Sequence, residues 1–368
     1  MRTTAGLLIY CGTKIILVKQ KGTKLYSIPK GEVKSDEDHL TAAIRETKEE
    51  CGIDVARQNI HKKEYLCSIE TPFCQRKLFY YKAFLSEEEY YKRDSHISDE
   101  IANVVLCNIE EAISIIQISQ LGILWDEERN INRRILNKIV DIGWVNVEQH
   151  TTGQYLIYNY TDKCKREKAW NILTLWCRGL ITDCNGKIIA YPLKKFFEYN
   201  QLFPECRKFS NRFEVSEKLD GFMGITFFID GLPHIATRNS FISKPAIKGT
   251  IILYDKYLKD IPNMNANYTY IFEIVYLNDY LTLRYKGIED LFLIDIIDNT
   301  NGNSVLKEVS SSLSFKTIKH EPNTHYLNYY LKQNHPGKEG LVLKFPNGDR
   351  LKIKYPWFKK KYSEKHEK

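Results

Sequence analysis

No stretch of this 368-residue chain reaches the roughly 18 consecutive apolar residues that a membrane helix needs. The first residues also lack the pattern of a secretory signal. Nine cysteines are present, an odd number, and no two stand as Cys-x-x-Cys. That spacing supports neither a disulfide framework nor a zinc ribbon. No internal repeat or low-complexity segment is found, which excludes a solenoid. These absences lead us to expect a soluble, cytoplasmic protein kept reduced, with no membrane contact.

What is present suits two cores. The length exceeds one ordinary domain, and with 43% hydrophobic residues each half can bury its own interior. The formal net charge of +8 is modest and favours an anionic partner over a cationic one.

Residues 5–10 and 14–19 read as a hairpin about Cys11-Gly12-Thr13. Residues 25–29 form a short extended stretch. Ser35 or Asp36 is positioned to cap a helix ending at Cys51, with Gly52 beyond it. Strands are expected at 62–69, 77–85 and 102–107, and a helix at 109–118. A charged run at 126–138 marks the boundary region, giving domains 1–135 and 136–368. The second half is strand-rich, with turn signals at Asn185-Gly186, Asp230-Gly231 and Asn347-Gly348. It closes on Lys359-Lys360-Lys361.

Two patterns carry chemistry. The first lies in residues 31–53: Gly31, Glu37, Arg45-Glu46, Glu49-Glu50 and Gly52-Ile53 at fixed offsets. Glu46, Glu49 and Glu50 share one helix face. Crowded carboxylates repel, and a magnesium or manganese ion relieves that repulsion with hard oxygen ligands. Such an ion can activate water against a diphosphate. Arg45 is suited to pairing with one carboxylate and holding it in place.

This spacing resembles the Nudix box, and residues 5–128 resemble a Nudix hydrolase. Thr47 stands where that family usually has an aliphatic residue, and its methyl group still packs. The resemblance implies an α/β/α sandwich and cleavage of a nucleoside diphosphate bridge. Tyr26-Ser27-Ile28-Pro29-Lys30-Gly31 looks like the approach to the box in members acting on dinucleoside polyphosphates or RNA 5′ ends. Glu100 is a candidate late-loop base, with a surface carboxylate as the plainer reading.

The second pattern is an ordered series. Lys218-x-Asp220-Gly221, with Glu217 before it, closes an apolar strand at 213–216. Arg178-Gly179 and Lys194-Lys195-Phe196-Phe197 precede it. Thr237-Arg238-Asn239 follows. Glu273 lies within an apolar strand and Glu339 heads another, where an acid is costly unless paired or metal-bound. Lys352 and Lys354 share one strand face. A nucleophilic lysine needs desolvation or cationic neighbours to lower its pKa.

This order resembles the covalent nucleotidyltransferases and, in detail, the phage-type RNA ligase 1 family, over residues 150–360. The fold so implied is an α+β adenylation domain of antiparallel sheets. Lys218 would carry AMP taken from ATP. Arg178, Lys195 and Phe197 would bind ATP or a 5′ phosphate, with Glu217, Asp220 and Gly221 lining the nucleotide. Glu273 would bind ribose or a metal, Glu339 magnesium, and Lys352 with Lys354 the α-phosphate. Arg238 falls where the family often has a lysine.

Few residues follow Lys354, so neither the OB-fold of DNA ligases and capping enzymes nor the family's helical C-terminal domain is expected. RNA would then be held by the lysine tail, the first half or a partner. Two accounts of the fusion stand open: trimming of RNA 5′ ends, or destruction of diadenosine tetraphosphate formed as a by-product. A ligase half that only binds RNA or nucleotide, and sealing of DNA, remain the alternatives. Oligomeric state is not legible.

Overall fold

The computed structural model describes residues 3–61, 65–68, 77–124, 133–201, 209–278, 281–285 and 287–366. Two compact units emerge. One comprises Met1–Asp126, Ile131–Ile139 and Lys168–Leu173, and the other Glu127–Asn130, Val140–Glu167 and Thr174–Lys368.

The first unit contains β1 (Thr3–Cys11), β2 (Lys14–Gln20), β3 (Lys30–Glu32), α1 (His39–Cys51), β4 (Tyr65–Ser68), β5 (Lys77–Leu85), α2 (Glu87–Tyr91), β6 (Ile101–Asn108) and α3 (Ile109–Ile115); α4 (Arg133–Asp141) follows. The sheet order is β4-β5-β1-β2-β6, with β3 also on β1. β1 and β5 are parallel. The hairpin pairs only at Tyr10↔Ile15 and Cys11↔Lys14 before the strands splay. β3 then takes the edge of β1, and β2 turns to β6. Both sheet faces are covered. Ala5, Leu7, Ile9 and Cys11 pack with Ala42, Ala43 and Cys51 of α1, while Leu8, between them, is equally buried. A strand buried on both faces reads as a continuous apolar run, as β1 does.

Several element boundaries differ from expectation. α1 begins at His39, and its cap is Asp38, whose Oδ1 accepts from the Thr41 N–H at 2.6 Å. Ser35 and Asp36 cannot serve because Glu37 is drawn out of the helix by Arg45, eight residues on. Residues 25–29 form isolated bridges rather than a strand. Pro29 has no N–H for a ladder, and pairing starts at Lys30. α3 stops at Ile115, whose carbonyl accepts from Tyr26. Of the strand expected at 62–69, Tyr65–Ser68 is found; 62–64 and 69 lie outside the described residues, as do 126–132 of the charged run.

The second unit is mixed α/β with antiparallel sheets. Its elements, with the helix α6 that enters it, are β7 (Val145–Gln149), β8 (Tyr155–Tyr160), α5 (Asp162–Glu167), α6 (Ile172–Trp176), β9 (Arg178–Asp183), β10 (Ile188–Ala190), β11 (Phe197–Glu198), β12 (Glu214–Lys218), β13 (Phe222–Ile229), β14 (Leu232–Ala236), α7 (Lys244–Tyr257), β15 (Tyr268–Val275), β16 (Asp290–Asp298), α8 (Leu306–Val309), β17 (Lys316–Thr317), β18 (Glu321–Pro322), α9 (Leu327–Leu331), β19 (Gly340–Lys344), β20 (Arg350–Lys354) and α10 (Pro356–His366). Three sheets form, ordered β10-β9-β8-β7, β11-β20-β19-β12-β18 and β14-β13-β15-β16-β17. Among the described residues of this unit, the short edge pairings β11–β20 and β16–β17 are the parallel ones. The three expected turns join β9 to β10, β13 to β14 and β19 to β20. β12 runs through Lys218 instead of ending at Ser216, and the lysine-dense tail is the helix α10.

A buried ion cluster ties two of these sheets together. Asp295 on β16 is fully buried and receives Arg350, the Ser304 hydroxyl, and Lys344 at 3.3 Å. Lys344 and Arg350 face each other across β19 and β20. Removing one partner of such a group strands the remaining charges without water. Asp295→Ala is therefore expected to lower stability by about 3–5 kcal/mol, read as a fall in the urea midpoint at unchanged slope. An unaltered midpoint would show the cluster to be solvated.

Candidate active sites

In the first unit α1 presents its carboxylates toward β3. Arg45 makes a two-point contact with Glu37, at 2.6 and 3.1 Å. It also donates to Glu46 at 2.6 Å and to Glu49 at 3.1 Å, and its second nitrogen meets the Glu32 carbonyl at 3.0 Å. Glu49 is half exposed, while Glu46 is largely covered. Glu50 is 6% exposed; its Oε2 accepts the Lys30 N–H at 2.8 Å and its Oε1 accepts Gln20 at 3.4 Å. Burial lifts the Glu50 carboxyl to about 7 and also raises that of Glu46, against the pull of Arg45. Gly31 is bare for a reason: a Cβ there would overlap the Glu46 carboxyl. Thr47 is wholly buried, its hydroxyl bonded to the Ala43 carbonyl at 2.8 Å, so the packing role is kept and the polar atom satisfied.

Among the described residues no three Asp, Glu, His or Cys side chains converge as metal ligands. The donor set still fits a hard divalent cation. It consists of carboxylate oxygens, two of them held against a desolvation cost that a cation would relieve, and Arg45 already lodges positive charge between Glu46 and Glu49. Glu100 is exposed, and its main-chain carbonyl accepts from Lys21; no bond links it to the helix carboxylates.

The second unit assembles its site by strand register. Lys218 stands opposite Gly340 on β19, and Gly340 stands opposite Lys354 on β20. Glu339, 3% exposed, lies one residue before Gly340 and takes both amines: Lys218 Nζ to Oε2 at 2.8 Å and Lys354 Nζ to Oε1 at 3.1 Å. Gly340 permits this closeness, since a Cβ would meet the Ile353 carbonyl. Glu273 on β15 accepts the Gly221 N–H at 3.0 Å. Arg178 opens β9, with its guanidinium 5.0 Å from the Phe196 ring centroid, and its Nη1 is buried with no hydrogen-bond partner. Lys195 lies 4.8 Å from the Phe197 ring centroid and 5.8 Å from that of Tyr160.

These groups sense one another. Burial, then Lys352 and Arg178, push Lys195 down to about 6. Burial, then Arg178, Lys218 and Lys354, push Lys352 down to about 8. Burial raises Glu273 to about 7, with Lys218 opposing and Glu339 adding to the rise. Lys218 departs from expectation. Burial alone would lower its pKa, but Glu339 and Glu273 outweigh it and the net shift is upward. The lysine rests as an ammonium within an ion pair. An anion beside Arg178, Lys195 and Lys352 would favour the charged forms that burial and mutual repulsion disfavour.

Not every singled-out residue joins this centre. Glu217 pairs with Lys338 at 2.9 Å, on the strand face opposite Lys218. Asp220 accepts the Leu283 N–H at 2.7 Å while its own N–H donates to Tyr285, which makes it a loop anchor. Arg238 is exposed, although its charge reaches Arg178 and Lys195. Sequence reasoning missed Gln20 on Glu50, Tyr160 beside Lys195 and Phe196 beneath Arg178. Phe196 carried a signal, an aromatic next to Lys195; the others depend on strand pairing.

A NUDIX domain model matches residues 1–125. The Caenorhabditis elegans bis(5′-nucleosyl)-tetraphosphatase (asymmetrical) is 36% identical over 101 residues, 26% of this chain and 67% of that protein. A crystal structure of a C. elegans Ap4A hydrolase binary complex is 25% identical, spanning 38% of this chain and 99% of its own, at a TM-score of 0.28. A Naegleria gruberi RNA ligase with PPi is 19% identical, spanning 48% of this chain and 60% of its own, at 0.38. At these TM-scores the chemistry of the second unit rests on its own side chains. For the first unit, Arg45, Glu46, Glu49 and Glu50 stand on one capped helix with Gly31 and Glu37 ahead of it at the motif's spacing, within the residues that the family model matches, and with the 36% identical relative beside it the chain belongs to the NUDIX family.

Proposed function

We propose a bifunctional RNA end-processing and sealing enzyme, with a Nudix pyrophosphohydrolase in residues 1–135 and an ATP-dependent RNA ligase in residues 136–368. The observation that carries the ligase reading is a lysine held by a buried glutamate, near an arginine whose Nη1 is buried without a hydrogen-bond partner, in a cluster with more cations than acids. The Lys218 amine attacks the α-phosphorus of ATP. An N–P bond forms, the bond to pyrophosphate breaks, and the amine proton leaves. A 5′-phosphate oxygen of RNA then takes the AMP, and the lysine regains a proton. A 3′ hydroxyl finally displaces AMP as the phosphodiester forms. Arg178, Lys195, Lys352 and Lys354 position the phosphates and spread their charge, which is most of what phosphoryl transfer asks of a protein.

Magnesium or manganese would be held by Glu46, Glu49 and Glu50 in the first unit and by Glu339 with Glu273 in the second; when bound, it supplies charge neutralisation at phosphate and an activated water for hydrolysis. Among the described cysteines six are free thiols, which fits a reducing cytoplasm.

The relative's name supports a dinucleoside polyphosphate as the hydrolase substrate. ATP attacking a lysyl-AMP yields diadenosine tetraphosphate, so the first unit would remove what the second makes in error. Two incubations test the whole. Magnesium and α-labelled ATP should label the chain, and single-stranded RNA with a 5′ phosphate should discharge that label. Diadenosine tetraphosphate should be split faster than triphosphate-ended RNA. A chain that takes no label defeats the ligase reading, and preference for the RNA defeats the by-product reading.

Lys195 and Lys352 also set a pH dependence. Their free pKa values lie near 6 and 8, and an anion bound beside them raises both. Binding then takes up protons, so affinity for ATP is highest at low pH and falls as pH rises past these values. The expected loss is about tenfold for each lysine neutralised, the worth of a charge-assisted hydrogen bond. Lys218 must shed its proton, so the rate of labelling at saturating ATP rises over the same range. Titrating a non-cleavable ATP analogue from pH 5.5 to 9.5 checks the first trend; a flat affinity would remove both lysines from the phosphate site.

A further inference from the structure

α10 lies against several walls of the Lys218 site. Lys354, which pairs with Glu339, stands 5.1 Å from the Phe358 ring centroid and 5.6 Å from that of Tyr362. Lys359 pairs at 2.6 Å with Glu198, the residue opposite Lys352. Lys365 donates to the Leu281 carbonyl, two residues from the N–H that anchors Asp220. Phe358 is 1% exposed and packs with Leu283 and Tyr355, so the inner side of the helix is fastened down.

The outer side has a different character. Tyr362 is 49% exposed. Lys360 and Lys361 are exposed beside it. Lys361 pairs with Glu364 at 2.8 Å, and Lys360 has no ion-pair partner among the described residues. One aromatic ring flanked by lysines is not an apolar protein-docking face, which would need a contiguous patch. It matches the two elements by which single strands are held, a π-face for a base and cations for the phosphates beside it.

We propose that α10 seats the nucleic-acid strand to be joined. One base stacks on Tyr362, the adjoining phosphates meet Lys360 and Lys361, and the strand end is thereby delivered to the rim beside Lys354. This rests on the sealing role assigned to the second unit.

The test uses the full chain, a roughly 12-nucleotide fluorescein-labelled single-stranded RNA, and anisotropy over a salt series. Tyr362→Leu is expected to weaken binding roughly 5- to 100-fold, with Tyr362→Phe close to the parent. Lys360→Glu should weaken binding on any sequence and lower the salt slope by about one. Labelling by ATP should persist in Lys360→Glu. Absence of RNA binding by the parent, or equal anisotropy from parent, Tyr362→Leu and Lys360→Glu, would overturn the proposal. Lys360 is exposed and has no ion-pair partner among the described residues, so its variant keeps the test open if Tyr362→Leu misfolds. A parent that takes no label while its RNA binding still responds to these changes would end the sealing role and leave the strand seat standing.

Discussion

Lys218→Ala is expected to take no label from α-labelled ATP, a drop on the order of 10⁶-fold, as when an enzyme loses its nucleophile. The reason is structural as well as chemical. The amine emerges at the end of β12, and Glu339 draws it toward Lys354. Neither Lys354 nor Lys352 can replace it, because each belongs to β20, two strands away across β19. The variant should remain folded and still bind ATP. Glu339 keeps Lys354 as its partner and Glu273 keeps the charge of Arg178, while Lys195 and Lys352 are untouched. Lys218→Arg should be equally unlabelled, since a guanidinium stays protonated and cannot attack. Hydrolysis of diadenosine tetraphosphate should be unchanged in both variants, because the carboxylates that carry it belong to the other unit. A labelled band from Lys218→Ala as strong as the parent's would move the nucleophile elsewhere and leave the second unit a binding module at most.

How far these sites were legible depends on whether a feature is local. The carboxylate helix was readable because Glu46, Glu49 and Glu50 share a face through helical spacing alone, and Gly52 ends the helix as expected. Its start was not readable. Ser35 or Asp36 was the expected cap, and Asp38 holds the position because the Arg45–Glu37 contact, which no propensity describes, keeps Glu37 outside the helix. Turn residues and strand alternation placed Lys352 and Lys354 on one face. The meeting of Lys218 with Glu339, 121 positions apart, needs the β12–β19 register. The direction of the Lys218 shift was misjudged for a related reason. Glu339 and Glu273 were weighed only as metal or ribose ligands, and their folded positions make them counter-charges of the lysine as well. The lysine tail reads in the sequence as one hold on RNA, with no secondary structure assigned; it is the helix α10, whose Phe358 packs inward and stacks against Tyr362, four residues on.

Glu50→Gln is expected to reduce hydrolysis of diadenosine tetraphosphate by about 10²- to 10⁴-fold, the range for loss of a positioned acid–base group. The substitution conserves shape. A glutamine oxygen can still accept the Lys30 N–H, so the junction of β3 with α1 should hold and the melting temperature should stay close to the parent's. What disappears is charge at the most deeply buried of the three carboxylates, where low dielectric makes a single charge count most. Glu46→Gln should follow closely, because its carboxyl fills the space beside Gly31 and is pinned by Arg45. Glu49→Gln should cost least. That side chain is half exposed and gives Arg45 its longest carboxylate contact through a guanidinium N–H, tied with one arm of Glu37 at 3.1 Å. The order of the three separates catalysis from mere helix stabilisation, since loss of a solvent-side ion pair would hurt all of them slightly and alike. Rates from the three variants at equal magnesium decide it. Equal small losses would leave Arg45 and its carboxylates as a structural clasp, and hydrolysis would have to be sought at another acid.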